Sequence, residues 1–131
     1  MNRKELEDRL INFSASIINF VQDLPTSKQG GHLIDQLLRS SSSAALNYGE
    51  AQGGESNKHF IHKLRLVLKE LRESYVCLGI IHRSKVFGEN EIIETLLKEN
   101  NELISIFVKS VSTSEKNHKA EIMKQNQKSK F

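Results

Sequence analysis

Tryptophan is absent from this sequence, and proline and cysteine occur once each. A single cysteine, Cys77, excludes an intrachain disulfide. One proline and no Asn-Gly or Asp-Gly dipeptide leave few of the turns that join strands, so β-structure is not expected. No apolar run approaches the roughly 20 residues that span a bilayer. The opening residues, MNRKELEDRL, carry charge where a signal peptide would be apolar. A cytoplasmic, reduced protein with no membrane partner is therefore expected. A strong excess of either charge is also missing. The net charge is +3, and five of the nineteen basic residues with two of the sixteen acidic ones fall in 114–131. The rest of the chain has fourteen of each sign and is neutral, so any polyanion-binding surface must be local.

Signatures of catalysis are missing too. Phosphate-binding loops of the Gly-Lys-Ser/Thr or Gly-x-Gly-x-x-Gly kind do not occur, nor does a Gly-x-Ser-x-Gly elbow. A di-iron site in a helical bundle needs Glu-x-x-His on two helices. The pattern occurs once, at Glu115 to His118, in a polar stretch. His59 and His62 lie three apart without a third ligand. Glu70 and Glu73 read as the solvated face of a helix. No catalytic residue, metal or cofactor is expected, and the chain reads as a non-enzyme.

What the sequence does contain is helical periodicity, strongest in residues 56–83. Phe60, Leu64, Val67, Leu71, Tyr75, Leu78 and His82 recur at steps of four and three, which places them on one stripe. A first helix over 2–23 has Leu6, Leu10, Phe13, Ile17, Phe20 and Leu24 inward. Pro25 breaks it, and Thr26 or Ser27 caps the next. A second helix over 29–52 has Leu33, Leu37, Ser41, Ala44 and Tyr48 inward, ending at Gly53-Gly54. The third covers 56–86 with Ser56 as cap, and Gly88 closes it. The fourth covers 91–113 behind Asn90, with Ile93, Leu97, Ile104, Phe107 and Val111 inward and Leu96 and Leu103 widening the stripe. Residues 114–131 read as a basic, polar extension, solvated or a frayed helix. At 131 residues this is one domain, 1–113, of the all-α class: an up-down-up-down four-helix bundle.

Two surface patterns bear on function. Lys58, His62, Arg65, Lys69 and Arg72 recur along the back of the third helix, where a row of cations can follow a phosphate backbone. The competing reading is a solvated face balanced by Glu55, Glu70 and Glu73. No aromatic interleaves with the row, so base stacking is not implied. Ile11 and Ile18 on the first helix, with Ile34, Leu38 and Ala45 on the second, form apolar strips beside the core stripes. They suggest contact with another subunit or a partner helix, or simply a wider core face.

The wording of several segments adds to this. Asp35-Gln36-Leu37-Leu38-Arg39-Ser40-Ser41, then Ser43 to Ala51, then Phe60-Ile61-His62-Lys63-Leu64 and Leu68-Lys69-Glu70-Leu71-Arg72-Glu73 occur in order. With Leu24-Pro25-x-Ser27, this set closely resembles the 23S rRNA intervening-sequence proteins of bacteria, over about residues 6–112. The resemblance implies an up-down bundle assembled as a homopentameric ring, with no established enzymatic activity. Related accessory variability proteins of diversity-generating retroelements share that ring, bind nucleic acid and partner a reverse transcriptase. The expected function is thus a non-enzymatic oligomer that binds RNA or DNA weakly through its backbone. The alternative is a scaffold for an unidentified protein partner without nucleic-acid binding.

Overall fold

A computed structural model of the chain describes residues 1–53 and 56–129, and among these there are four helices and no strand. They are α1 (Arg3–Gln22), α2 (Gly31–Gln52), α3 (Asn57–Ser84) and α4 (Ile92–Ser129). Gly54 of the double-glycine stop, Glu55 and Lys130 lie outside the described residues. The caps follow the local chemistry. Asn2 accepts from the Glu5 N–H at 2.8 Å, and Ser56 accepts from the His59 N–H at 3.1 Å. Ser27 accepts from the Gly30 N–H at 3.1 Å, and Asn90 accepts from the Ile92 N–H at 2.9 Å. Asn2, Ser56 and Asn90 each take up a donor that the first helical turn leaves free, whereas Ser27 bonds only within the turn before α2, whose N-cap is Gly30 without a side-chain bond, so the expected Thr26 or Ser27 cap is not formed. The third helix stops through a left-handed Lys85 (φ 54°), before Gly88 (φ 81°) turns the chain.

α1 packs on α2 and α4, and α3 packs on the same two, so each helix touches two neighbours and faces the fourth across the core. Leu10, Phe13, Ile17, Leu37, Leu64, Leu71, Leu78, Leu103 and Phe107 are almost wholly buried at the centre. Tyr48 meets Phe107 edge to face with ring centres 5.4 Å apart, a favoured aromatic geometry. Near the turns, the Phe87 ring lies where a side chain on Gly30 would start, so only glycine fits there without moving the ring.

Three expectations are corrected. The fourth helix does not end near residue 113 but runs to Ser129, and the extension is helical. Ser114, Glu115 and His118 are half-buried against α3, whereas residues 119–129 are exposed. On α3, Tyr75 is exposed and His82 and Phe60 are only half-buried. Ile61, Ser74 and Ile81 take the buried places instead. On α4, Leu96, Asn100 and Leu103 are buried while Leu97 and Ile104 flank them. Asn100 is accommodated because its amide donates to the Leu71 carbonyl of α3 at 3.0 Å. The serine run of α2 is helical, as its apolar stripe implies. Ser40 and Ser74 are fully buried and their hydroxyls meet at 2.7 Å, a close approach that small side chains permit.

Candidate nucleic-acid interface

The α3 cations are all on the surface. Lys58, His62, Arg65, Lys69 and Arg72 are exposed along the outside of the helix. Lys58, Arg65 and Arg72 recur every seven residues and line a cleft shared with α4, while Lys69 faces the α2 side. Across the cleft stand Lys116 and Lys119, one turn apart on the extended α4. Cations from two helices thus share one surface. A single carboxylate, Glu115, lies among them, 3.0 Å from Arg65. Among the described residues Lys58, Lys69 and Arg72 have no ion-pair partner.

Of the acidic residues expected to balance this row, Glu55 lies outside the described residues, and Glu70 and Glu73 engage α2 instead. Glu70 is not on the solvated face: it is 7% exposed and turned into the α2/α3 seam. Arg39 of α2 donates to Glu70 at 3.0 Å and also bonds to Glu73. That bond to Glu73, more than the neighbouring charges, holds the Arg39 guanidinium above its ordinary pKa. Arg39 thus draws both carboxylates toward α2 and offsets one of their two charges, which reduces their pull on the α3 cations. Arg9 forms a comparable clamp between α1 and α4, reaching Glu99 at 2.9 and 2.5 Å and Glu102 at 3.1 Å. Asn47 and Glu50 of α2 receive Lys63 of α3 at 3.4 and 2.5 Å. These pairs join helices.

Of the apolar strips, Ile11 and Ile18 are 49% and 45% exposed, as a surface for another molecule requires. Ile34, Leu38 and Ala45 are half-buried against the core, so part of the α2 strip is core face. Leu46, Val76 and Ile80 are further exposed apolar side chains. His59 and His62 are exposed, and no described group of three His, Cys, Asp or Glu side chains is placed to hold a metal. Cys77 is buried, and desolvation first, with the nearby Glu73 charge, pushes its thiol pKa up. No described helix is long and apolar enough to cross a membrane.

Lys116 and Lys119 are what sequence reading misses. The signal was present: Val111, Glu115, His118 and Ile122 continue the four-three steps of the α4 stripe. Polar residues at two of those positions concealed it.

A sequence-family model described as 23S rRNA-intervening sequence protein matches residues 5–109. The chain belongs to that family. The match agrees with the resemblance carried by the α2 and α3 segments, and it stops before the second wall of the cleft. Among solved structures, the chain is similar to a crystal structure from Bacteroides thetaiotaomicron, described as a protein with unknown function from the S23 ribosomal protein family. The TM-score is 0.72 at 24% identity, over 86% of this chain and 99% of that one. At this identity the likeness speaks for the fold alone. No curated protein matches. The lysine-bearing end of α4 lies beyond the residues matched by the 23S rRNA-intervening sequence family.

Proposed function

We propose that this member of the family is a non-enzymatic, cytoplasmic oligomer that binds RNA or DNA through the phosphate backbone, without reading base sequence. The observation that carries the reading is the shared face of Lys58, Arg65 and Arg72 of α3 with Lys116 and Lys119 of α4. Two walls of cations, with Glu70 and Glu73 engaged by Arg39, give a local positive field on a chain of only +3. No Phe, Tyr or Trp lines the cleft, which favours backbone contact over base stacking.

The subunit is an up-down-up-down bundle in this reading. Two pairings support it: Arg39 with Glu73 and Glu50 with Lys63 between α2 and α3, then Arg65 with Glu115 and Asn57 with Glu121 between α3 and α4. In each, numbers rise on one helix as they fall on the other. The exposed Ile11 and Ile18 support self-association, and the pentameric ring follows from the family resemblance. A ring repeats the face, and linked sites gain avidity through effective concentration.

A salt series with single-stranded and duplex RNA and DNA tests the reading. Binding should fall by about a decade or more between 50 and 200 mM salt for a few phosphate contacts. It should also fall when Arg65, Lys69 and Arg72 are changed together to Gln with the oligomer intact by light scattering. Binding that ignores both salt and that triple change would refute it. The second reading, a protein-binding scaffold, is favoured by one observation: the floor of the cleft is apolar.

A further inference from the structure

The cleft between α3 and the extended α4 has a volume of about 790 Å³. Its floor is formed by Ile61, Leu68, Val108, Val111 and Ile122. Val108 and Ile122 are 43% and 42% exposed, so the apolar floor is open to a ligand. The two walls carry Lys58, Arg65 and Arg72 on one side and Lys116 and Lys119 on the other, against Glu115 alone. A phosphate backbone uses such walls but gains nothing from an aliphatic floor, and no Phe, Tyr or Trp is present there for bases to stack on. A helix lying in the groove between two helices uses both: its apolar stripe meets the floor and its flanks meet the walls.

We propose that the α3/α4 cleft is the docking site for an acidic amphipathic helix of a partner protein. Charge complementarity selects the occupant, because a stripe flanked by Glu or Asp places one anion row against each cationic wall. The reach from Lys58 to Arg72 is about 21 Å at the α-helical rise per residue, the length of about four turns of guest helix. The guest therefore presents apolar residues at i, i+3 or i+4, i+7 and i+11, with acidic residues on both sides. This goes beyond the phosphate-binding reading. It shares the cations with that reading but needs the floor, which phosphate contact does not.

The test uses the full chain and a fluorescein-labelled peptide of about 18 residues, with leucine on the stripe and glutamate on both flanks, long enough for four turns of helix. A twin peptide carries lysine in place of glutamate. The glutamate peptide should bind at least about tenfold more tightly than its twin by fluorescence anisotropy, as complementary charge requires. Val108→Ser with Ile122→Ser, both at exposed positions, should weaken the peptide about fivefold or more by removing the floor contacts, while RNA binding stays within about twofold. Arg72→Gln with Lys119→Gln should weaken both ligands, and RNA should compete with the peptide. Equal binding of the two peptides, or floor variants that bind like wild type, overturns the proposal while leaving the RNA reading standing. Peptide binding without RNA binding does the reverse. If the floor variants instead dissociate a wild-type oligomer by light scattering, a second copy fills the cleft and the proposal fails.

Discussion

Replacing Arg39 with methionine is the most informative perturbation of the fold and of the candidate face together. Arg39 engages Glu70 at 3.0 Å and also Glu73, and these partners differ in burial: the Glu70 side chain is 10% exposed and that of Glu73 38%. Arg39 itself is 48% exposed, so its own desolvation is partial. An exposed pair is worth about 0–1 kcal/mol, and stranding one partner of a fully buried pair costs about 3–5 kcal/mol. This clamp lies between, and Arg39→Met is expected to cost about 1–2 kcal/mol, chiefly by leaving the Glu70 carboxylate buried without a partner. For a domain of this size that lowers the melting temperature by about 4–7 °C. Adding Glu70→Gln in the Met background should recover part of the loss, because the stranded charge is gone. Adding Glu73→Gln should recover little. Thermal unfolding by circular dichroism at fixed protomer concentration reads all four proteins, since self-association would shift each midpoint. The same change releases two carboxylates beside Lys69 and Arg72 and should weaken RNA binding. If Arg39→Met with Glu70→Gln melts no higher than Arg39→Met alone, the stranded-charge reasoning is wrong.

Other outcomes follow from the same structure. Leu64→Ala and Leu71→Ala, at fully buried sites, should each cost about 2–5 kcal/mol in urea unfolding, whereas Tyr75→Ala should stay within about 0.5 kcal/mol although the sequence places it on the same stripe. Ser74→Ala should cost about 1 kcal/mol by removing the hydroxyl contact with Ser40, and the double change with Ser40→Ala should cost less than the sum. Cys77, buried with its thiol pKa raised by desolvation, should resist alkylation at pH 8 in the folded protein and react on unfolding; equal rates in both states would contradict its placement. Light scattering at micromolar concentration should give more than one subunit, and Ile11→Glu with Ile18→Glu should lower that number while leaving the helix content intact.

How much was legible differs from helix to helix. α1 was read correctly from Leu6 to Phe20, because one narrow stripe faces the core; Leu24, expected inward, falls past the helix end at Gln22 and is half-buried. α3 was harder because it packs on two neighbours. Its buried positions recur every seven residues, Leu64, Leu71 and Leu78, then Val67, Ser74 and Ile81, then Glu70 and Cys77, a repeat of 3.5 and so shorter than 3.6. Helices that wrap around one another left-handedly show such a repeat, and a straight stripe through Phe60, Tyr75 and His82 leaves it at both ends. Glu70 was unreadable for another reason. A carboxylate is buried only where a partner waits, and that partner, Arg39, lies on a different helix. The helix end was placed too early because polar residues replace apolar ones along the α4 contact line; residues 119–129 are exposed as composition suggested, while Ser114, Glu115 and His118 rest half-buried against α3. The row on α3 was visible from spacing; the second wall that makes it a two-sided face depended on that helix continuing.

The most direct test of the phosphate-binding account is the salt dependence of RNA affinity for the wild type and for Lys116→Gln with Lys119→Gln. The account predicts measurable binding at low salt, and a log–log slope shallower by about 1.4–1.8 in the double variant, the loss of two phosphate contacts. An unchanged slope, or no binding by the wild type at low salt, would contradict it.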